Sequence, residues 1–180
     1  TDNLSAEQRF ATSEDGTQVP YFIIRPSNQS LDTSSPTILY GYGGFEVPMA
    51  PSYMPMTGKL WLERGGSFVL ANIRGGGEFG PNWHQSAILK NRQRAFDDFA
   101  AVARDLIEQG FTSPQHLGIS GGSNGGLLVG VSFTQNPELY NAIVCKVPLL
   151  DMLRYHKLMN GASWMAEYGD PDDPEMHVIL

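Results

Sequence analysis

The sequence ISGGSNGGLL (residues 119–128) places four glycines around Ser123, between a short apolar run and the start of another. Its segment Gly121–Gly125 fits the pattern G-x-S-x-G. The preceding run HLGIS is typical of a buried strand, and the apolar run from about Gly125 to Thr134 predicts a helix. A strand that turns at once into a helix strains its turning residue, and flanking glycines let the neighbouring backbone pass close by. The chain is therefore constrained to a strand, a sharp turn at Ser123 and a helix.

Short apolar strands alternate with helices over the rest of the chain. Strands are predicted at Thr37–Tyr42, at Ser67–Ile73 and in NAIVCKVP (141–148), and a helix from Asn91 to Gln109. The helix prediction rests on one apolar stripe that begins at Phe96 and follows helical spacing. Because buried parallel strands joined by helices form sheets covered on both faces, we expect an α/β fold with a mainly parallel sheet.

The N-terminal residues predict an antiparallel hairpin in front of that sheet. The runs QRFAT and TQVPYFIIRP flank the segment SEDG, in which Asp15-Gly16 is a strong hairpin-turn signal. A short helix is expected in GKLWLERGG (58–66). An amphipathic segment, PEMHVIL, is under way where the sequence stops at Leu180, so we expect a fold that is incomplete at its C-terminus.

Composition argues against several classes of function. The chain is 41% hydrophobic, with a formal net charge of −7 and no cluster of Lys or Arg, whereas nucleic acids and anionic membranes bind basic surfaces. No apolar run reaches the roughly 18 residues that a membrane span needs. The single cysteine, Cys145, cannot form an internal disulfide and is expected to be a buried structural thiol. We expect a globular protein with no nucleic-acid or membrane partner.

The turn at Ser123 suits nucleophilic chemistry. It lifts the serine above the carboxyl edge of the sheet with its Oγ exposed, and the N–H of Asn124 points into the same space from a helix N-terminus. A developing oxyanion is stabilised at such a position. We therefore interpret the stretch as a nucleophile elbow and not as an ordinary Gly/Ser turn. Ser120 is the weaker candidate, since it ends the strand and lacks the flanking spacing.

A second glycine-rich loop, GGGEFG (75–80), fits the dinucleotide-binding pattern G-x-G-x-x-G after a strand. Pro81 and Trp83 follow it, however, and no periodic helix is predicted before about Asn91. The negative charge of Glu78 inside the loop would also repel a pyrophosphate. We expect neither a nucleotide here nor any other cofactor.

Five motifs occur in a fixed order along the chain: LYGYGGF (39–45), ANIRGGGEFG (71–80), FDDF (96–99), GGSNGGLL (121–128) and SWMAEYGDPDDPE (163–175). Together they resemble the catalytic domain of the prolyl oligopeptidase family of serine peptidases, and the resemblance extends from the EDGTQVPYFI hairpin over nearly the whole chain. It implies an α/β-hydrolase fold. It also implies hydrolysis of short peptides through an acyl-serine intermediate, preferably after proline and without a cofactor.

The resemblance implies three catalytic positions. Ser123 matches the nucleophile, and Asn124 matches the residue whose backbone N–H is one oxyanion donor. Tyr42 matches the tyrosine whose hydroxyl is the other donor, with Tyr40 as the alternative. A phenol suits this role because a pKa near ~10 keeps it protonated, and therefore a donor, at neutral pH.

The resemblance also implies a pocket for the substrate residue that precedes the cleaved bond. Phe45, Trp164 and Tyr168 match its aromatic walls, and a flat apolar ring stacking on Trp164 is a physical basis for choosing proline. Taken without the family, these three residues are interpreted as ordinary core aromatics. Arg74 matches a family arginine, and we expect it to be structural, fixing its loop beside the active site.

The sequence lacks a base and an orienting acid for the serine, which needs both. In this fold the order along the chain is Ser, then Asp or Glu, then His. His84 and His116 precede Ser123, His156 follows it closely, and His177 lies near the end. We therefore assign no triad His or Asp within this chain and expect both, like the upstream β-propeller of the family, to lie outside it.

Acidic residues near the C-terminus have two interpretations. Asp151 occupies a position where a few relatives of the fold keep their acid, but a structural cap is preferred. A metal site is suggested by four further acids: Asp170, Asp172, Asp173 and Glu175. Two interleaved prolines and a capping position before EMHVIL favour a loop that leads into a helix, so no metal is expected.

These expectations describe residues 1–180 as part of one peptidase catalytic domain that acts on short peptides. Two alternatives stay open: a relative of different specificity, such as an aminoacyl-peptidase, a basic-residue oligopeptidase or an esterase, and a non-catalytic hydrolase-fold protein that binds partners. Glu46 and Glu167, near the pocket positions, keep the basic-residue option open. A cytoplasmic location is expected, with a periplasmic or secreted one open because the sequence begins at Thr1 and not at Met.

Overall fold

The computed structural model describes residues 3–180, which contain one six-stranded mixed sheet. Its strands are β1 (Leu4–Thr12), β2 (Gln18–Pro26), β3 (Thr37–Tyr40), β4 (Ser67–Ala71), β5 (Leu117–Gly122) and β6 (Ala142–Lys146). They lie in the order β1-β2-β4-β3-β5-β6. β1 and β2 are antiparallel, as are β2 and β4, whereas β4, β3, β5 and β6 run parallel. The predicted α/β sheet with an N-terminal hairpin is confirmed.

The hairpin turn forms where the Asp15-Gly16 pair predicted it. Gly16 has a φ of +84°, in the left-handed region that glycine adopts without strain. The carboxylate of Asp15 accepts a hydrogen bond from the backbone N–H of Thr17 at 3.1 Å. This side chain closes the turn on its own backbone, as Asp does in many turns.

In the described part of the chain, six α-helices connect or follow the strands. They are α1 (Pro55–Leu60), α2 (Pro81–Gln85), α3 (Gln93–Glu108), α4 (Asn124–Gln135), α5 (Met165–Tyr168) and α6 (Pro174–His177). α3 buries the predicted apolar stripe and stops before Gly110, whose φ is +77°. The helix expected in 58–66 begins earlier, because Pro55 suits a first helical turn, and it breaks at Trp61 before a 3₁₀ turn at Leu62–Arg64.

The main core lies between the sheet and the two long helices, α3 and α4, and includes Ile23, Leu39, Phe99 and Leu128. The opposite face carries α1 and a smaller cluster around Phe68. A groove of about 1100 Å³ remains open there along β3, β5 and β6. Cys145 in β6 is half-buried, more exposed than expected. Within residues 3–180, no helix has the length and apolarity that a membrane crossing requires.

The parallel strands bring three loops to one edge of the sheet. β3 leads to Tyr42, β4 leads to Arg74 and β5 leads to Ser123. Because the carboxyl ends of parallel strands meet at the same edge, ligand sites in open α/β sheets form there. The fold thus gathers the sequence-predicted residues on one side of the molecule.

Candidate active site

Ser123 occupies the sharp turn between β5 and α4. Its φ of 57° and ψ of −119° lie in a region that residues other than glycine rarely adopt. The turn is held on both sides, because the N–H of Ser123 donates to the carbonyl of Lys146 at 3.1 Å and its own carbonyl accepts from Leu127 at 3.1 Å. The predicted strand–turn–helix geometry is therefore present.

The two outer glycines of the G-x-S-x-G pattern are required by space. A Cβ on Gly121 would lie 2.1 Å from the carbonyl oxygen of Gly125. A Cβ on Gly125 would lie 2.8 Å from the carbonyl oxygen of Gly41. At Gly122, by contrast, the nearest atom would be 3.6 Å away, an ordinary contact. Close backbone contacts thus require glycine at Gly121 and Gly125, whereas Gly122 has room for a side chain.

A pocket of about 130 Å³ opens beside the Ser123 turn. Its lining residues are Tyr42, Phe45, Ser123, Leu149, Trp164 and Tyr168. Pockets for drug-sized ligands measure roughly 300–1,000 Å³, so this one suits a single small side chain. Five of the six sequence-predicted site residues meet here. Leu149 was missed, and the signal that could have found it is its place just beyond the carboxyl end of β6.

The structure separates the two candidate tyrosines. Tyr40 belongs to β3 and stacks on Phe68 with ring centroids 6.3 Å apart, in the cluster on the opposite face. Tyr42 lines the pocket with Ser123. Burial raises the pKa of Tyr42 above its ordinary value, while the neighbouring Ser123 side chain acts in the other direction. The Tyr42 hydroxyl is therefore protonated at neutral pH, as a donor must be.

The aromatic walls are packed edge to face. The ring of Tyr168 meets that of Phe45 at 5.6 Å and 85°, and that of Tyr155 at 5.4 Å and 81°. The hydroxyl of Tyr155 donates to the carbonyl oxygen of Gly169. Such pairs gain energy beyond their buried area, so the Tyr168 ring is held from two sides.

Asn124, the sixth predicted residue, is fully buried behind the pocket. Its side-chain Nδ2 donates to the backbone carbonyl of Tyr42 at 2.6 Å. Its Oδ1 accepts from the Tyr168 hydroxyl at 2.7 Å and from the guanidinium of Arg92 at 2.6 Å. One amide side chain thus connects the elbow, the loop after β3 and the aromatic wall.

Glu167 is buried and fully engaged outside the pocket lining. Its Oε1 accepts from the Arg92 guanidinium and from the Phe45 backbone N–H, both at 2.9 Å. Its Oε2 lies 2.7 Å from Nε2 of His84. Glu46 is half exposed, with its carboxylate 4.0 Å from Nδ1 of His84. Neither carboxylate lines the pocket, so neither offers it the negative charge that a basic substrate residue would need.

Comparison with known proteins identifies the family. The sequence profile of the prolyl oligopeptidase family matches residues 51–178 of this chain. An uncharacterized peptidase of Sinorhizobium fredii is 61% identical over 171 residues, which are 95% of this chain and 24% of that protein. A prolyl endopeptidase of Elizabethkingia miricola is 41% identical over 96% of this chain and 24% of its own length. The chain belongs to the prolyl oligopeptidase family.

Solved structures place the chain in the α/β-hydrolase domain of this family. A post-proline cleaving enzyme from Rickettsia typhi superposes with a TM-score of 0.97 at 51% identity, over 98% of this chain and 26% of that one. Prolyl oligopeptidase B from Galerina marginata superposes with a TM-score of 0.95 at 37% identity, over 99% of this chain and 25% of that one. The chain thus spans about a quarter of the length of the relatives it matches.

Arg74 of this prolyl oligopeptidase family member is buried and lies in an ion-pair network away from the pocket lining. Its guanidinium donates to Asp98 at 2.7 Å and to Asp15 at 3.1 Å. The Asp98 carboxylate also accepts from the hydroxyl of Ser13 at 2.6 Å. These contacts tie the hairpin turn and the loop after β4 to α3, which fits the structural interpretation of Arg74.

The side chain of Glu78 fills the glycine-rich loop at 75–80, to which it belongs. The Oε1 of Glu78 accepts from the backbone N–H of Met49 at 3.0 Å. A Cβ on Gly76 would lie 2.2 Å from the other carboxylate oxygen. The helix that follows, α2, is only five residues long. This geometry leaves no cradle for a pyrophosphate.

The four histidines of residues 3–180 each pair with a group other than Ser123. His84 contacts Glu167, His116 contacts Ser113, His156 contacts Asp172, and His177 contacts the carbonyl of Pro171. No histidine of this described range is therefore hydrogen-bonded to the serine as a base would be.

The acidic residues near the C-terminus have structural partners. Asp173 caps α6 by accepting from the backbone N–H of Glu175 at 3.0 Å, and Asp151 pairs with Arg154 at 2.7 Å. Ligand atoms of three residues lie within 4.8 Å of one another: His156, Asp170 and Asp172. The ammonium of Lys157, 2.9 Å from Asp172, already supplies a positive charge to that cluster.

Proposed function

We propose that this chain carries the nucleophile and the substrate pocket of a serine peptidase that cleaves short peptides after proline. One observation carries the proposal: the strained turn places Ser123 in the lining of an aromatic pocket of about 130 Å³ that Tyr42 also lines. The prolyl endopeptidases and the post-proline cleaving enzyme among the relatives support the same activity.

In the proposed mechanism, the Oγ of Ser123 attacks the carbonyl carbon of the substrate. A carbon–oxygen bond forms, and the electron pair of the carbonyl moves to its oxygen. The backbone N–H of Asn124 and the hydroxyl of Tyr42 donate hydrogen bonds to this oxyanion. Such donors lower the barrier because they face the charge as it develops. The carbonyl then re-forms as the carbon–nitrogen bond breaks, and the amine leaves with the serine proton. Water adds to the acyl ester in the same way, and the carbon–Oγ bond breaks as the serine regains a proton.

A base must move that proton, and an acid must orient the base. The partners of the four histidines in residues 3–180 support the proposal that both groups come from outside this chain. The relatives are about four times as long as this chain, which is consistent with a base and an acid that lie outside it.

The pocket accounts for the choice of proline. The proline ring is flat and apolar, and it can stack on Trp164 while Phe45 and Tyr168 close the sides. The buried pairing of Glu167 with Arg92 argues against a basic residue in the pocket. Peptide substrates are supported by the macrocyclization substrate bound to the Galerina relative.

The test compares fluorogenic peptide amides that end in proline, alanine or arginine, using the full-length protein. We expect the highest kcat/KM for proline and no turnover by Ser123→Ala. Turnover that survives Ser123→Ala, or a preference for arginine, would contradict the proposal.

A further inference from the structure

We propose that Arg92 is a positioning residue that couples the substrate pocket to the oxyanion donors. The proposal rests on the function proposed above and adds to it a residue outside the pocket. Arg92 does not line the pocket. It acts through the two side chains that it holds, Asn124 and Glu167.

The first contact reaches the elbow. One guanidinium nitrogen of Arg92 donates to Oδ1 of Asn124 at 2.6 Å. The same Asn124 side chain donates to the carbonyl of Tyr42 at 2.6 Å. The two residues that supply the proposed oxyanion donors are therefore joined by one side-chain amide, and Arg92 holds that amide from behind.

The second contact reaches the pocket wall. The other terminal nitrogen of Arg92 donates to Oε1 of Glu167 at 2.9 Å, and the same oxygen accepts from the backbone N–H of Phe45. Phe45 has a φ of +55°, which is strained for a side chain of this size. Such strain persists where surrounding contacts over-determine it, and Glu167 provides one of those contacts.

The burial of Arg92 makes this linkage rigid. Its side chain is 7% exposed and that of Glu167 is 5% exposed. The guanidinium also lies over the ring of Tyr168, 5.3 Å from its centroid. A buried charge without its partner is strongly unfavourable, so neither member of the pair has a low-energy alternative position. The planar guanidinium sets both contacts at one fixed separation, which a lysine ammonium does not reproduce.

Arg92→Lys therefore tests the coupling. Lysine keeps the charge but offers a single ammonium to acceptors on two different elements. The Asn124 Oδ1 then keeps only the Tyr168 hydroxyl of its two donors, and the backbone N–H of Asn124 shifts relative to Ser123. Stabilisation of the oxyanion falls more than ground-state binding in the aromatic pocket.

The readout uses two inhibitors of the full-length protein that differ at one carbon. A peptide aldehyde ending in prolinal adds Ser123 Oγ across its carbonyl, with the proton passing to the new oxygen or remaining on the base, so an oxygen occupies the oxyanion site. The matching peptide ending in prolinol fills the pocket without that bond. We expect Arg92→Lys to weaken aldehyde binding roughly tenfold more than alcohol binding, since displacing a donor has a smaller effect than the 10²–10³ of removing one.

Arg74→Lys is the matched control, because Arg74 is also a buried arginine paired with carboxylates but does not contact Asn124 or Glu167. It should lower thermal stability and leave the ratio of the two affinities unchanged. An equal loss of both affinities in Arg92→Lys, or the same ratio in both variants, would overturn the proposal.

Glu167→Gln provides a second test that holds if Arg92→Lys does not fold. It keeps an acceptor for the Phe45 N–H and removes the charge opposite Arg92, so the ratio should move in the same direction; an unchanged ratio overturns the coupling. Wild-type protein that forms no adduct at Ser123 would instead defeat the proposed function, and this proposal with it. Failure of the Arg92 coupling can therefore be distinguished from failure of the proposed peptidase function.

Discussion

Gly121 provides a sharp test of how the backbone builds the site. A methyl group added there would lie 2.1 Å from the carbonyl oxygen of Gly125 and 2.6 Å from its carbon. Since Cβ contacts under 3.0 Å essentially never occur in proteins, the two segments must separate by about 0.9 Å. The segment that moves is the first turn of α4, which carries the N–H of Asn124.

The expected effect of Gly121→Ala has two parts. Overpacking of this kind lowers the free energy of unfolding by about 1–3 kcal/mol. A displacement of roughly 1 Å in catalytic geometry can lower the rate about 10²-fold. We therefore expect kcat/KM on a proline amide to fall about 100-fold, while urea unfolding still shows a cooperative, folded protein.

Gly122→Ala is the matched control one residue away. A methyl group there would meet Lys146 at 3.6 Å and 3.7 Å, which are ordinary contacts. Its activity should stay close to that of the wild type. The steric reasoning is refuted if Gly121→Ala and Gly122→Ala have the same kcat/KM in the full-length protein.

Three further predictions concern the pocket and the buried tyrosines. Tyr42→Phe should lower kcat by roughly 10²–10³ with little change in thermal stability, and a larger drop for Tyr40→Phe would show that the wrong tyrosine was chosen. Trp164→Ala should raise KM for proline substrates more than for alanine analogues because stacking is lost; equal increases would make Trp164 a core residue only. Burial raises the pKa of five tyrosines: Tyr21, Tyr42, Tyr140, Tyr155 and Tyr168. A raised pKa gives stability that is complete below the unfolded value near ~10 and is lost as pH rises through the folded values. Urea unfolding at increasing pH should therefore show a falling free energy of unfolding above about pH 10, and a constant value would contradict this.

Local sequence signals predicted the elements that local physics controls. The hairpin turn follows from Asp15-Gly16, and α3 follows from the stripe that begins at Phe96. The elbow follows from glycines at two fixed positions around Ser123, which the close contact between Gly121 and Gly125 explains.

The pocket and its supporting network depend on contacts that no local pattern reports. Arg92 lies in the polar run KNRQR, which is typical of a solvated helix start, yet it is buried. Its partners Asn124 and Glu167 are 32 and 75 positions away along the chain. The pocket assignments of Phe45 and Trp164 rest on the family resemblance. Phe45 follows β3 and Trp164 ends a 3₁₀ turn (Gly161–Trp164), and only the folded chain brings these two segments together.

The central claim is that the turn between β5 and α4 presents Ser123 as the nucleophile of the peptidase. The most direct measurement treats the full-length protein with a fluorophosphonate probe and locates the adduct by mass spectrometry of its peptides. We predict a single modified residue, Ser123, and no labelling of Ser123→Ala. An adduct at Ser120 or at any other serine, or labelling that persists in Ser123→Ala, would contradict the account.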